Sequence, residues 1–293
     1  MPERITFIGL GVMGFPMAGH LANSGYQVTV FNRTTSRSKL WRQTYPGIAC
    51  DLAQESIKNA EIVISCLKDD QSLTDIFLGD TGVLHLIPAG CTLIDHTTTS
   101  AEIARTLYAE SKKRDIDFID APVSGGEQGA RNGILTTMCG GEQRSFDNCK
   151  EIMKCYSQAV TLMGPCGSGQ LTKMVNQITI AGLIQGLAEG LHFAENANLD
   201  LVKVIEVISK GAAQSWQMEN RHKTMIDAEY DHGFAVDLMR KDIGICLGEA
   251  RKNKSTLPVT ALVDQFYSDV QALGGGRWDT SSLLERLRRN ARN

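Results

Sequence analysis

The stretch ITFIGLGVMGFPMAGHL, residues Ile5 to Leu21, decides the fold. It starts as an apolar run, passes through three glycines spaced G-x-G-x-x-G, and continues as a helical pattern. A strand, a glycine turn and a helix in this order are typical of a dinucleotide-binding unit. The glycines allow the tight turn, the approach of a pyrophosphate and close helix packing. The predicted cofactor contacts here are Gly9, Gly11, Val12, Met13 and Gly14.

The turn after the second apolar run, QVTVF, indicates which dinucleotide binds. A carboxylate at this turn would accept hydrogen bonds from the adenosine ribose and would repel a 2′-phosphate. The chain instead has Asn32, followed by Arg33 and Thr34. Since an arginine can pair with a phosphate, we expect these three residues to bind NADP, with NAD as the alternative. A solvated turn arginine is the competing interpretation.

Strand-like and helical patterns alternate through the first half of the chain. The apolar runs are ITFIGL, QVTVF, EIVISCL, CTLIDHT, DFIDAPV and ILTTMCGG. This alternation predicts an α/β Rossmann-type domain with a doubly wound parallel sheet over residues 1–166. The remaining residues, 167–293, read as an all-α substrate and dimerisation domain.

A long helix is predicted at about residues 169–198, where it joins the two domains. The segment contains no proline and has apolar residues on nearly every face, which corresponds to one helix of roughly 40 Å. A helix that is apolar all round must be covered all round. We therefore expect it to lie between the domains or against a second subunit, in a homodimer or homotetramer.

Composition excludes several classes of protein. The formal net charge of the 293-residue chain is -3, and its basic residues do not form runs, so we expect no nucleic-acid or membrane partner. The start of the chain leaves no room for an export signal, and no window is long and apolar enough to span a membrane. These features predict a soluble, cytoplasmic protein.

No metal site is expected. The eight cysteines include no C-x-x-C pair, and several lie in apolar runs, which favours reduced core residues. The six histidines include no H-x-x-x-H pair. His96 is interpreted as a loop residue.

Two further stretches carry residues suited to chemistry. In GPCGSGQLTKMVNQ, Lys173 and Asn176 lie three residues apart on one face of the predicted long helix. A buried ammonium group needs a partner, so a lysine there is unusual. In FIDAPVSGGEQGA, the run Ser124, Gly125 and Gly126 follows a strand and offers a hydroxyl and backbone N–H groups to an anion.

Four motifs, FIGLGVMGFPM, DAPVSGG, GSGQLTKMVNQ and MRKDIGICLGEA, resemble those of the β-hydroxyacid dehydrogenase family. That family includes 3-hydroxyisobutyrate dehydrogenases, tartronate semialdehyde reductases, glyoxylate reductases and succinic semialdehyde reductases. The resemblance covers essentially the whole chain. It implies that Ser124 to Gly126 hold a substrate carboxylate. It also implies that Lys173 is the catalytic acid/base, with Asn176 beside it in the catalytic and substrate site.

The resemblance further implies contacts to the nicotinamide half from Leu67, Lys68, Thr98 and Lys241. Two departures from the family pattern stand out. The segment CLKD replaces the usual L-P, and the turn Asn32 to Thr34 replaces the aspartate of NAD-preferring members.

The leading hypothesis is an NADP-preferring oxidoreductase acting on a small, carboxylate-bearing β-hydroxyacid or its semialdehyde. One alternative is a 6-phosphogluconate dehydrogenase-like enzyme, although the helical part is short for it. Another is a dinucleotide-binding scaffold without activity, against which the presence of Lys173 and Asn176 argues. An imine reductase is expected to carry a residue other than lysine at this position.

Overall fold

The computed structural model describes residues 3–290 and consists of two compact units. The first unit ends at Lys173 and the second begins at Met174. The division between the units falls inside the long helix Ser168–Asn196. The domain boundary predicted from the sequence, between residues 166 and 167, falls in the loop just before this helix and stays a prediction.

The first unit is built on one sheet that is mostly parallel. Its order is β3-β2-β1-β4-β5-β6-β8-β7, with β9 paired to β8. The six strands from β3 to β6 are parallel, whereas β8 runs antiparallel to β6 and β7. The strand bounds are β1 Arg4–Ile8, β2 Gln27–Phe31, β3 Ile48–Cys50, β4 Ile62–Ser65, β5 Thr92–Asp95, β6 Asp117–Asp120, β7 Val123–Ser124, β8 Leu135–Gly141 and β9 Ser157–Gly164.

The predicted Rossmann-type class is confirmed, with two strands that the apolar runs did not indicate. β3 is three residues long and ends the sheet, and much of β9 is exposed. Edge strands face solvent and therefore lack a continuous apolar pattern. The run DFIDAPV is divided at Ala121 and Pro122 into β6 and β7, because proline has no N–H to give to a ladder.

Helices cover both faces of this sheet. Phe7 and Ile8 are neighbours on β1, yet they belong to different apolar clusters, as expected when side chains alternate across a strand. The cluster of Phe7 includes Met17 of α1 and Trp41 of α2, and the cluster of Ile8 includes Leu107 of α5. The helices are α1 Gly14–Asn23, α2 Thr35–Thr44, α3 Ala53–Ser56, α4 Asp70–Leu73, α5 Ala101–Lys112, α6 Gly126–Asn132 and α7 Gln143–Met153.

The second unit is helical. The long helix α8, Ser168–Asn196, begins in the first unit and continues into the second, close to its predicted span. The other helices are α9 Leu201–Ile208, α10 Trp216–Ile226, α11 Val236–Asn253, α12 Pro258–Ala272 and α13 Leu283–Asn290. Their shared core includes Ile184, Leu191, Met239 and Tyr267.

Helix α8 is not buried all round within this chain. Three of its apolar side chains remain accessible: Val175 is 63% exposed, Leu183 is 42% exposed and Phe193 is 72% exposed. The opposite stripe, which contains Ala181, Ile184, Ala188 and Leu191, is buried. Within residues 3–290, no helix is long and apolar enough to cross a membrane.

Candidate active site

Four predicted cofactor segments follow neighbouring parallel strands. Gly9 follows β1, Asn32 follows β2, Leu67 follows β4 and Thr98 follows β5. Because the carboxyl ends of parallel strands meet at one edge of the sheet, these segments share that edge. In open α/β sheets this is where ligands bind.

The glycine loop has the shape that a pyrophosphate requires. Gly9 has φ +98°, a conformation that favours glycine, and a side chain on Gly14 would place its Cβ 2.0 Å from the Gly9 carbonyl oxygen. A Cβ on Gly11, by contrast, would meet nothing within 4 Å. The loop is therefore closed on its inner side and open at Gly11, immediately before α1 begins. These residues fit a dinucleotide, whose phosphates would lie against the N-terminus of α1.

Asn32 supports the glycine loop from the next strand. Its Oδ1 accepts a hydrogen bond from the Leu10 N–H at 2.9 Å, and its Nδ2 donates to the Thr34 carbonyl at 3.0 Å. Arg33 and Thr34 themselves are exposed at the start of α2. Arg37 also holds the loop, because its Nε donates to the Leu10 carbonyl at 3.1 Å. The sequence had not indicated this residue.

The loop after β4 is tied to the loop after β5. The Leu67 N–H donates to the Thr97 hydroxyl at 2.9 Å, one residue before Thr98. A Cβ on Gly9 would lie 2.3 Å from the Cys66 carbonyl oxygen, so the glycine loop passes closely beside the same segment. The Lys68 side chain is 72% exposed and lies 3.9 Å from the Asp69 carboxylate.

Two buried carboxyl groups and a buried histidine lie at the ends of β5 and β6. Burial raises the pKa of Asp95 to about 7 and that of Asp120 to about 6. Burial lowers the pKa of His96 to about 4. His96 Nδ1 lies 2.6 Å from the Ala121 carbonyl oxygen, and His96 Nε2 lies 2.8 Å from the Tyr156 hydroxyl. His96 is thus a neutral, hydrogen-bonded residue of the interior.

The segment Ser124, Gly125 and Gly126 ends β7 and begins α6. Gly125 has φ +131° and Gly126 has φ +62°, values that a residue with a side chain rarely adopts. Both glycines are thus required by the turn itself. This backbone holds the half-buried Ser124 at the end of its strand.

Lys173 lies in the second turn of α8 and is 8% exposed. The start of the helix is capped by Asp120, which accepts hydrogen bonds from the backbone N–H groups of Gly167 at 2.7 Å and Gln170 at 2.9 Å. The lysine that the sequence singled out is thus buried close to the capped start of the helix, and lysine is rarely this buried in a protein.

In the second unit, Asn176 and Lys241 belong to one polar chain. Asn176 Nδ2 donates to Gln177 Oε1 at 2.8 Å, and Gln177 Nε2 donates to Asp242 Oδ2 at 2.6 Å. Lys241 Nζ lies 2.8 Å from Asp242 Oδ1. Sequence reasoning missed Gln177 and Asp242. The available signal was that Gln177 lies four residues after Lys173, on the same helical face.

Two family models match most of the chain. Residues 4–164 match the NAD binding domain of 6-phosphogluconate dehydrogenase. Residues 167–287 match the model described as NAD-binding of NADP-dependent 3-hydroxyisobutyrate dehydrogenase.

Individual relatives agree with these models. An "uncharacterized oxidoreductase" of Shewanella frigidimarina is 58% identical, over 98% of this chain and 99% of the relative. The 2-hydroxy-3-oxopropionate reductase of Escherichia coli is 31% identical, over 97% of each chain. A solved 3-hydroxyisobutyrate dehydrogenase of Mycobacterium tuberculosis superposes with a TM-score of 0.88 at 25% identity, covering 98% of this chain and all of that one.

The matched models and relatives agree with the glycine loop and the sheet edge in requiring a nicotinamide dinucleotide cofactor. They also agree on an oxidoreductase that acts on a CH–OH group. This chain belongs to the β-hydroxyacid dehydrogenase family.

Proposed function

We propose that this enzyme transfers hydride between NADP and a small, carboxylate-bearing β-hydroxyacid or its semialdehyde, with Lys173 as general acid/base. The observation that carries the proposal is the burial of Lys173 in the second turn of α8. Burying an ammonium group is costly unless it is paired and hydrogen-bonded, so a buried lysine indicates a site that provides partners for its charge. At a catalytic position the cost is offset, because the charge meets the oxygen that becomes negative during the reaction.

The turn after β2 supports the preference for NADP. Asn32 uses its amide to hold the glycine loop and the Thr34 carbonyl, so this position presents no carboxylate to a ribose or its phosphate. Arg33 and Thr34 are exposed beside it. A guanidinium and a hydroxyl at this place suit a 2′-phosphate. The description of the model matched by residues 167–287 points to the same cofactor.

The chemistry divides between the cofactor and the chain. When bound, the nicotinamide supplies or accepts the hydride. In the reductive direction, the Lys173 ammonium donates a hydrogen bond to the substrate carbonyl oxygen, stabilises the developing negative charge and then gives up its proton. In the oxidative direction, the neutral amine takes the proton of the hydroxyl group. Asn176, three residues further along α8, is proposed to orient the same oxygen.

The substrate carboxylate is assigned to the turn formed by Ser124, Gly125 and Gly126. A serine followed by two glycines with positive φ can offer a hydroxyl and backbone N–H groups to an anion. Hydrogen bonds from these groups to a charged carboxylate would hold the reacting carbon in place while Lys173 exchanges a proton with the carbonyl or hydroxyl oxygen. The names of the relatives, 3-hydroxyisobutyrate dehydrogenase and 2-hydroxy-3-oxopropionate reductase, are consistent with substrates of this class.

A substrate panel with both cofactors tests the proposal. Glyoxylate and the semialdehydes of succinate, methylmalonate and tartronate are each assayed with NADPH and NADH. Lys173→Ala should reduce kcat by about 100- to 10,000-fold and leave NADPH affinity nearly unchanged, as expected on loss of an acid/base group.

Lys113→Ala provides the control. This lysine is exposed at the end of α5, the helix that leads back to the start of β6 and hence to the edge opposite the glycine loop. Full activity of Lys173→Ala, or no reduction of any carboxylate-bearing aldehyde, would refute the proposal.

A further inference from the structure

The first turn of α8 is attached to the ends of two strands of the sheet. The Asp120 carboxylate, at the end of β6, accepts one backbone hydrogen bond with each oxygen: Oδ1 from the Gly167 N–H at 2.7 Å and Oδ2 from the Gln170 N–H at 2.9 Å. Both Asp120 and Gln170 are fully buried. These bonds cap the helix and also fix where it starts relative to β6.

Gln170 makes the second attachment, to the loop that follows β5. Its Oε1 accepts a hydrogen bond from the Thr99 N–H at 3.0 Å, and its Nε2 donates to the Thr97 carbonyl at 2.7 Å. One side-chain amide thus bonds the backbone on both sides of Thr98. These two bonds add nothing to the helix itself, since both partners lie in the loop. They set the distance between the loop and the helix.

The first turn of α8 packs so closely against the ends of β6 and β8 that no side chain fits between them. A Cβ on Gly169 would lie 2.4 Å from the Met138 carbonyl oxygen and 2.6 Å from the Asp120 carbonyl oxygen. A Cβ on Gly140 would lie 2.5 Å from Asp120 Oδ1 and 2.8 Å from the Gly169 nitrogen. Backbone therefore packs on backbone at this point, and small displacements meet strong repulsion.

Lys173 follows Gln170 by three residues, which places both on one face of α8. We infer that Asp120 and Gln170 are positioning residues, which hold Lys173 at a set distance from the Thr97 to Thr99 segment. The inference rests on the proposed role of Lys173 and extends it to two fully buried side chains that act through this lysine. A lysine on a helix without this attachment would keep its chemistry but lose its alignment.

Gln170→Met is the principal test, because methionine keeps the volume and removes both hydrogen bonds to the loop. We expect kcat to fall by roughly 10- to 100-fold, while the KM for the aldehyde and the Kd for NADPH change by less than about threefold. Gln185→Met is the matched control, since Gln185 is a buried glutamine of the same helix whose amide donates to Glu189, four residues further along that helix, at 2.7 Å. The control should lose stability without losing kcat.

A double-mutant cycle separates positioning from a general structural role. If Gln170 acts through Lys173, adding Gln170→Met to Lys173→Ala should lower the residual rate by less than about threefold. Asp120→Asn, which places an NH₂ group opposite a backbone N–H, should resemble Gln170→Met in kcat. If this variant does not fold, the glutamine variants alone decide the test.

The two proposals fail in different ways. Full activity of Lys173→Ala would defeat the proposed function. Loss of activity in Lys173→Ala together with an unchanged kcat in Gln170→Met would defeat only the positioning role. An equal loss from Gln170→Met with and without Lys173, or an equal loss in Gln185→Met, would also overturn it.

Discussion

The side chain of Asn32 accepts a hydrogen bond from the Leu10 N–H at 2.9 Å, which ties the turn after β2 to the glycine loop after β1. The same amide donates to the Thr34 carbonyl at 3.0 Å, so it uses both a donor and an acceptor. A carboxylate could make only the first of these bonds. Asn32 therefore shapes the turn, while Arg33 beside it remains exposed to solvent.

Cofactor preference should depend on Arg33. One charge-assisted hydrogen bond contributes roughly 1.5 to 3 kcal/mol, so we expect NADPH to bind at least about tenfold more tightly than NADH. Arg33→Ala should remove most of this difference when both dissociation constants are measured by fluorescence titration. Arg42→Ala, which changes an exposed arginine in the last turn of α2, the helix that follows Arg33, should leave this difference intact. Equal affinity of the unmodified protein for the two cofactors would contradict the proposal.

Ser124 should act on substrate binding more than on turnover. Ser124→Ala removes one hydroxyl donor from the proposed carboxylate site. The KM for a carboxylate-bearing aldehyde should therefore rise by roughly tenfold, the effect of losing one hydrogen bond to a charged group, and kcat should fall by less than that. The internal control is an uncharged aldehyde of similar size, whose KM should not change. Steady-state kinetics that show equal activity on charged and uncharged aldehydes in the parent enzyme would argue against this site.

We propose that a second copy of the chain covers the exposed face of α8. Val175, Leu183 and Phe193 project from it, and burial of such side chains is a common basis of subunit contact. Light scattering at micromolar concentration should give at least twice the chain mass of 32.0 kDa. Phe193→Asp should shift the protein toward monomer, whereas Leu40→Asp, at an exposed position in the first unit, should not. A mass near that of one chain for the parent would disprove the proposal.

The stability of the fold should depend on the protonation of Asp95. Burial raises its pKa from 3.8 to about 7, so the folded state holds this proton more tightly than the unfolded chain. Stability from this group is therefore present at low pH and is lost as pH rises from about 4 to about 7, on the order of a few kcal/mol. The pKa of His96 is lowered from its ordinary value of 6.5 to about 4, so this residue contributes the opposite slope, a stability that rises with pH between about 4 and 6.5.

Comparison with Asp95→Asn isolates the carboxyl group, because His96 is common to both proteins. Asparagine keeps the oxygen that accepts hydrogen bonds from Ser65 and Thr97 and cannot ionise. As pH rises from about 4 to about 7, the Tm of the parent should fall relative to that of the variant. Parallel Tm curves over this interval would show that Asp95 does not titrate there.

Local patterns in the sequence were sufficient for the main features of the fold. The run from Ile5 to Leu21 indicated a strand, a tight turn and a helix, because each depends on residues a few positions apart. The predicted class, the family and an oxidoreductase activity on a CH–OH group are confirmed. The roles assigned to Lys173, Asn176 and Ser124 remain predictions, although the structure shows that Lys173 is buried.

Other features depended on contacts between residues that are far apart in the chain. No local pattern could indicate that β8 reverses against β6, since strand direction is decided by pairing. The same holds for the bonds from Asp120 to the start of α8 and from Gln177 to Asp242, which join residues about 50 and 65 positions apart. The sequence determined most of the strands and helices and the family to which the chain belongs. Only the tertiary structure decided which buried polar groups meet, because the partners of such groups come from elements that are distant in the chain.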